Sequence, residues 1–404
     1  MATETIELRG HIVDSLLLAK VLDVIVEAGI SYELTDVEIG RTNIDPSHAL
    51  IVLEGEQADL DRLVDDLQVH GANRLTSGTS TLVAADRDGV LPAGFYSTTN
   101  LATDVLVDGK WLSVENPEMD CGIVIAGARA RTIPMHRVKA GDEIVVGSGG
   151  VRVHAPAKKR GPSAFEFMSS EVSSEKPKAL IVQEVAARVR AAHDAGGRVL
   201  AVCGPAVVHT GGSPDLARLV DAGWIDVLFA GNGFATHDIE SNVLGTSLGV
   251  SIAEGTPTEG GHSNHLRVIN EVRRHGSIAA AVEAGYVSGG VMAACVRRGI
   301  PFVLGGSIRD DGPLPDVITD TAAAADAMRA EIPGVTVALM LASTLHAIAV
   351  GNCLPAWVET FCVDINQAVV TKLADRGSHQ AMGIVTDVGP FVAQLADALC
   401  GPAR

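Results

Sequence analysis

From Lys178 onward the chain repeats one pattern: a short apolar run rich in β-branched residues, a polar turn, and a helical segment. The runs fall at 198–203, 225–230, 301–304, 335–341, 360–364 and 383–386. They are too continuously apolar for strands with one wet face and too short for helices. They therefore read as strands covered on both sides, in a doubly wound, mostly parallel sheet. Residues 161–404 are assigned to this Rossmann-like α/β domain. Sheets of this kind bind ligands beyond the carboxyl ends of their strands, so the chemistry is sought there.

The preceding sequence follows other rules. Residues 1–93 read as β-α-β-β-α-β, a ferredoxin-like α+β domain. Ile6, Leu8 and Ile12 alternate as in a strand, and Leu18, Val21, Leu22, Ile25 and Val26 recur at helical spacing until Gly29. Extended runs at 32–39 and 49–53 follow. Leu60, Leu63, Val64 and Leu67 mark a second helix, and 80–84 is the expected last strand. Residues 94–160 form a small β-rich module with runs at 105–107, 122–126 and 143–146, and the basic turn at 158–162 reads as its exit linker.

Composition narrows the partners. With 404 residues, 47% hydrophobic and 20% charged, the chain can bury a large core. A formal net charge of −18 argues against nucleic acid and against an anionic membrane surface, both of which reward clustered Lys and Arg. Small molecules and further copies of the chain, as a homo-oligomer, remain. The cysteines at 121, 203, 295, 353, 362 and 400 are scattered, form no Cys-x-x-Cys pair and sit mostly in apolar runs, as expected in a reducing compartment. Without a basic n-region or an apolar run of about 18–20 residues, the expected location is cytoplasmic.

Several strand ends carry chemistry. A carboxylate at Asp364 can accept hydrogen bonds from both ribose hydroxyls of an adenosine and would repel a 2′-phosphate, which favours NAD over NADP; it could equally cap the next helix. The turn holding Ser343, Thr344, Leu345 and His346 leads a buried strand into a helix, where free amides and hydroxyls suit a pyrophosphate or serve as an ordinary cap. Gly231-Asn232-Gly233 lets backbone approach a flat ligand but lacks the third glycine of Gly-x-Gly-x-x-Gly. The loop from Gly305 to Pro313, with Arg309 and Asp311, and the strand end at Asp387 are further candidates, each also readable as a plain turn. His262 and His265, three apart as a helix begins, could bind a metal, move protons or cap the helix. A zinc site needs three or four ligands and no matching set stands nearby, so the expectation is no metal and proton transfer instead. His237-Asp238-Ile239-Glu240 is a second acid/base candidate, or a solvated helix start.

The strings Gly204 to Gly211, Gly231 to Gly233 with His237 to Glu240, Gly260 to His262, Gly306 to Asp316 and Val363 to Asn366 together resemble the archaeal type of NAD-dependent ornithine cyclodeaminase. They are similar also to the C-terminal module of bifunctional arginine dihydrolase/ornithine cyclodeaminases. The amino-terminal part resembles the region that this family shares with lysine-oxoglutarate reductase/saccharopine dehydrogenase. The arginine-hydrolysing module of the bifunctional proteins is missing, so arginine is not expected as substrate. The resemblance implies NAD contacts at Asn232, Gly233, Asp311, Ser343, Thr344, Leu345, His346, Asp364, Asp387 and Val388. It implies conversion of L-ornithine to L-proline and ammonia, with hydride borrowed and returned and no net redox change. That chemistry needs proton transfer, assigned to His262 and His265, a partner for the substrate amine, assigned to Asp238, and a cation for the carboxylate, assigned to Arg309. The competing expectations are a net NAD-dependent dehydrogenase or transferase, and a non-catalytic amino-acid-binding regulator.

If the His262/His265 pair moves protons, activity survives exhaustive chelation, while His262→Ala or His265→Ala lowers turnover by about 10²–10⁴-fold. Activity lost in chelator and restored by zinc would reverse that assignment.

Overall fold

The computed structural model describes residues 2–13, 17–40, 45–68, 70–75, 78–154, 178–247, 250–251, 256, 263–310, 312–369, 372 and 381–402. The basic turn at 158–162 lies outside them. The chain divides into two compact units, Met1–Ser163 with Asn352–Trp357, and Ala164–Gly351 with Val358–Arg404.

The first unit holds two sheets. One is antiparallel and contains β1 (Ala2–Gly10), β2 (Ser31–Glu38), β3 (Ser47–Gly55) and β4 (Ala72–Arg74), in the order β2-β3-β1-β4. Helices α1 (Leu17–Glu27) and α2 (Gln57–Gln68) supply the rest of its core. Alternate residues Ile6 and Leu8 of β1 and Ala49, Ile51 and Leu53 of β3 are buried with Val21, Ile25, Leu60, Leu63, Val64 and Leu67, giving the expected ferredoxin-like arrangement. The other sheet contains β5 (Thr81–Ala84), β6 (Thr103–Val107), β7 (Lys110–Glu115), β8 (Gly122–Ala126), β9 (Arg129–Ile133), β10 (Glu143–Val146) and β11 (Val151–Val153), ordered β11-β6-β7-β9-β8-β10-β5.

The sequence places the last ferredoxin-like strand at 80–84, but that run is β5 and pairs with β10 of the second sheet, with Leu82 opposite Val145. The true fourth strand is Ala72–Arg74, and the change of sheet therefore falls before residue 93. A strand of three residues with only Ala72 buried is too short to show an alternating pattern, whereas Thr-Leu-Val-Ala at 81–84 reads as a strand in any context.

The second unit is built on a seven-stranded sheet of β12 (Arg198–Cys203), β13 (Val227–Gly231), β16 (Phe302–Gly305), β17 (Val317–Ile318), β18 (Val335–Leu341), β19 (Glu359–Asp364) and β20 (Ala381–Val385). A two-stranded ribbon, β14 (Thr246–Ser247) with β15 (Val250–Ser251), stands apart from it. The helices are α3 (Lys178–Asp194), α4 (Ala206–His209), α5 (Ser213–Asp221), α6 (Asn232–Leu244), α7 (Asn264–His275), α8 (Ile278–Glu283), α9 (Gly290–Arg298), α10 (Thr321–Glu331), α11 (Thr344–Cys353) and α12 (Val388–Cys400). Every pairing in the large sheet is parallel, in the order β17-β16-β13-β12-β18-β19-β20. Without the short edge strand β17, which the sequence does not suggest, this is the Rossmann order. The connection reverses between β12 and β18, where the strand ends leave a crevice.

The two strand ends at that reversal approach closely. A Cβ on Gly204, just past β12, would overlap the carbonyl oxygen of Ala342, just past β18. Both strand ends are pinned, since Gly204 N–H donates to Leu341 O at 2.9 Å and Ala342 N–H to Val363 O at 2.8 Å. Gly204→Ala should therefore lower the unfolding free energy by about 1–3 kcal/mol, the usual cost of overpacking. Gly149→Ala, where an added Cβ meets nothing within 4 Å, is the control, and equal urea midpoints for the two variants would refute the argument.

Candidate active site

Those of the expected cofactor residues that the structure describes stand at or just past strand ends of the second unit. Past β18 the backbone turns through Ala342, which holds a left-handed φ of 48°. A non-glycine residue there costs of order 1–3 kcal/mol and persists only where its surroundings impose it. The turn buries Ser343 and opens α11 at Thr344, so that the first amides of a ten-residue helix face the crevice end of the sheet. His346, in the first turn of α11, lies across the neighbouring strands. A Cβ on Gly231 would come 2.9 Å from its Cε1, and one on Gly305 would come 3.3 Å from its Nε2. The two glycines at the ends of β13 and β16 thus make room for this imidazole. Burial holds its pKa below the ordinary histidine value, and the charge of Asp310 opposes the shift.

Asp364 ends β19 almost wholly buried. Its Oδ1 accepts the Asn366 N–H at 2.8 Å, a turn just ahead of the next helix, whose start is capped by Asn366 accepting the Ala368 N–H at 3.0 Å. Among the described residues Asp364 Oδ2 has no hydrogen-bond partner. Asp387 caps α12 by accepting the Gly389 N–H at 3.1 Å, and Val388 is buried behind it. Asn232 Oδ1 accepts the Leu314 N–H at 3.0 Å and the Thr236 hydroxyl at 3.3 Å, which ties the start of α6 to the loop after β16. A Cβ on Gly233 would touch Pro205 Cγ at 3.3 Å. Arg309 sits at the exposed tip of that loop, in a turn closed by Ser307 N–H to Asp310 Oδ2 at 2.8 Å. Asp311 and His262 lie outside the described residues.

The most unusual element is α6, which buries Asn232, Thr236, His237, Asp238 and Glu240 within its first nine residues. Asp238 is fully buried and accepts hydrogen bonds from the Ser213 hydroxyl, from Val291 N–H at 3.0 Å and from Met292 N–H at 2.9 Å. Burial raises the pKa of its carboxyl while these donors pull it down. The close fit needs Gly290, whose φ is 84° and whose absent Cβ would lie 2.7 Å from Asp238 Oδ2. The side chain expected to hold the substrate amine is thus occupied in anchoring the start of α9.

Glu240, two residues on and therefore on the other side of the helix, is also fully buried but faces groups that can move protons. Its Oε2 lies 2.9 Å from His237 Nδ1, and its Oε1 accepts the Thr246 hydroxyl at 2.8 Å. Asn264 Nδ2 donates to Thr246 Oγ1 at 2.9 Å. The His209 ring, at the end of α4, is 5.0 Å from that of His237, and its Nδ1 lies 2.7 Å from Ser247 Oγ. His265, in the first turn of α7, has its ring 6.4 Å from His237. Burial, then the nearby His237, hold the His209 pKa below the ordinary value against the pull of Glu240. Of these groups, the His237/Glu240 spacing is a visible acid/base signal on one helix face. The roles of His209, Thr246, Ser247 and Asn264 have no such signal, because they arrive from separate elements.

The comparisons with known proteins cover nearly the whole chain. Residues 183–395 match the Rossmann-fold region of ArgZ-like arginine dihydrolase C-terminal segments, residues 102–182 the first region of the same segments, and residues 3–101 the LOR/SDH bifunctional enzyme conserved region. An ornithine cyclodeaminase from Methanopyrus kandleri is 48% identical over 98% of this chain and 97% of its own. The crystal structure of a conserved LOR/SDH protein from Methanococcus maripaludis superposes with a TM-score of 0.75 at 46% identity, covering 80% of this chain and 98% of that one. A crystal structure of AgrE in ternary complex with ornithine and NAD+ is 41% identical with a TM-score of 0.54, covering 99% of this chain and 57% of that one.

The depressed pKa of His209 fixes the sign of one pH effect. Below the ordinary value of 6.5 the unfolded chain protonates this imidazole while the folded chain resists, so the unfolded state binds more protons and stability falls as pH drops. His209→Gln removes that contribution. The stability of the wild type relative to this variant, read from urea midpoints, should decline between about pH 7 and pH 5, and a pH-independent difference would contradict the burial argument.

Proposed function

Because the chain belongs to the ornithine cyclodeaminase family, we propose that it is an enzyme converting L-ornithine to L-proline and ammonia with bound NAD. The observation that carries this reading is the match, over 98% of this chain, to a chain named ornithine cyclodeaminase, at 48% identity. The second unit fits the cofactor. Its crevice lies at the reversal point of the sheet, the β18 turn offers helix-start amides with the Ser343 and Thr344 hydroxyls, and Asp364 keeps one oxygen for ribose hydroxyls. On this assignment Ser343, Thr344, Leu345, His346, Asp387 and Val388 complete the surround on the β18–β20 side, Asn232 and Gly233 complete it on the other, and Asp311 is assigned to the cofactor on the resemblance alone.

NAD, when bound, supplies reversible oxidation at the substrate α-carbon. The chain must take a proton from an amine, deliver one to the departing nitrogen, hold a carboxylate and keep water from the imine. The cluster of His209, His237 and His265 around Glu240 is assigned the proton transfer, together with His262. Arg309 is assigned the substrate carboxylate. Asp238 keeps its anchoring task, which leaves Glu240 as the buried carboxylate nearest the imidazoles. The cysteines stand as free thiols, which supports a cytoplasmic, reducing location, and among the described residues no helix is long and apolar enough to cross a membrane. The open edge of β2, with Tyr32, Leu34 and Val37 exposed, supports assembly as a homo-oligomer.

With pure protein and ornithine, NAD at a small fraction of the substrate concentration should support many turnovers to proline, with free NADH absorbance near zero. NADH accumulating in proportion to substrate would replace this reading with a net dehydrogenase. Ornithine binding without turnover would replace it with a regulator.

A further inference from the structure

We propose that Glu240 is a positioning residue for the reaction, holding His237 as the Nδ1–H tautomer so that Nε2 is the atom that exchanges protons, and that Thr246 and Asn264 set the orientation of Glu240.

The hydrogen-bond directions follow from which groups can donate. An ionised carboxylate only accepts, so the 2.9 Å contact between Glu240 Oε2 and His237 Nδ1 places a hydrogen on Nδ1. A neutral imidazole then carries its lone pair on Nε2. The amide Nδ2 of Asn264 only donates, so Thr246 Oγ1 accepts from it at 2.9 Å and turns its own hydrogen to Glu240 Oε1 at 2.8 Å. Three elements thus fix one carboxylate: α6 carries it, β14 orients it through Thr246, and α7 orients Thr246 through Asn264. Among the described residues the titratable groups facing His237 are Glu240 on its own helix, His209 from α4 and His265 from α7. Asp238, the next residue of α6, is turned to Ser213 and the start of α9. The ring beside His237 from another element is also an imidazole, His209, whose own Nδ1 is engaged by Ser247 at 2.7 Å. Two imidazoles 5.0 Å apart between ring centres, each fixed through Nδ1, can share a single proton: one accepts it from the substrate amine, and the pair returns it to the leaving nitrogen. No proton is gained or lost over the cycle.

The same directions predict an unusual response to an isosteric change. In Glu240→Gln the amide oxygen stays with the Thr246 hydroxyl and the NH₂ group is turned to His237 Nδ1. Nδ1 must then accept, and the hydrogen moves to Nε2. The turnover arm of the test rests on the ornithine reading, whereas the tautomer arm does not. In protein labelled with ¹⁵N-histidine, with the His237 signals assigned by their loss in His237→Gln, the wild type should show the Nδ1–H form and Glu240→Gln the Nε2–H form. Turnover of ornithine should fall about 10²–10⁴-fold, as for other imidazoles forced into the wrong tautomer. Adding Thr246→Val removes the hydroxyl that holds the amide oxygen, so the double variant should regain the Nδ1–H signal and part of the lost turnover. A residue with a purely structural role would lose more with each deletion. An unchanged tautomer in Glu240→Gln, or a double variant no faster than the single one, would overturn the inference. A wild type that makes no proline from ornithine would instead remove the function, leaving the tautomer measurement to decide the role of Glu240.

Discussion

A helix that buries a histidine, an aspartate and a glutamate within four residues must give each a partner, and the second unit is arranged around meeting that demand. An unpaired buried carboxylate costs several kcal/mol, against a net gain of only about 1.5–3 kcal/mol for a hydrogen bond to a charged group. The partners therefore cannot be left to chance. For α6 they come from α5 through Ser213, from α9 through two backbone amides, from β14 through Thr246, and from the loop after β16 through the Leu314 amide. Apolar packing assembles the sheet and its helices, and these hydrogen bonds decide how that loop, α5, α9 and the β14 ribbon lie against α6.

Asp238 and Glu240 show why burial alone does not identify a reacting group. Both are wholly shielded and two residues apart, and both have their oxygens engaged. The partners of Asp238 are backbone amides and a serine, none of which titrates near neutral pH, so its environment is fixed across the range where the chain works. Glu240 shares its hydrogen bond with an imidazole, and that imidazole neighbours two others. A proton moving anywhere in the trio is felt by the carboxylate, which makes this pair suited to exchange and the other suited to anchoring.

The large architecture was legible because it is written in local pattern. Six apolar runs announced the six main strands of the parallel sheet, and alternation marked β1 and β3 with the helices that cover them. Short pairings carry too little pattern: β4 has three residues and β17 two, and each is a strand only because a neighbour stands beside it. The site divides along the same line. Asp364, His346 and the His237/Glu240 pair could be singled out because they sit at strand ends or share a helix face. Asp238 was visible as an acidic group, but its occupation by α9 was not, since Val291 and Met292 lie more than fifty residues away in sequence. His209 stood in a recognisable string with no sign that its ring would meet that of His237.

The missing third glycine of the usual dinucleotide fingerprint has a structural counterpart. In the common arrangement a glycine-rich turn brings backbone close to the pyrophosphate. Here the close approach is between two strand ends, Gly204 against the Ala342 carbonyl, and the left-handed turn at Ala342 redirects β18 into α11. Strain of that kind is sustained because the Ala342 amide is held by Val363 and the Gly204 amide by Leu341. The glycines at Gly231 and Gly305 then serve a different purpose, clearing space for the imidazole of His346 over the neighbouring strands. Glycines at three strand ends, β12, β13 and β16, and a left-handed turn at a fourth, β18, thus shape this end of the sheet, and a search confined to one continuous motif passes over them.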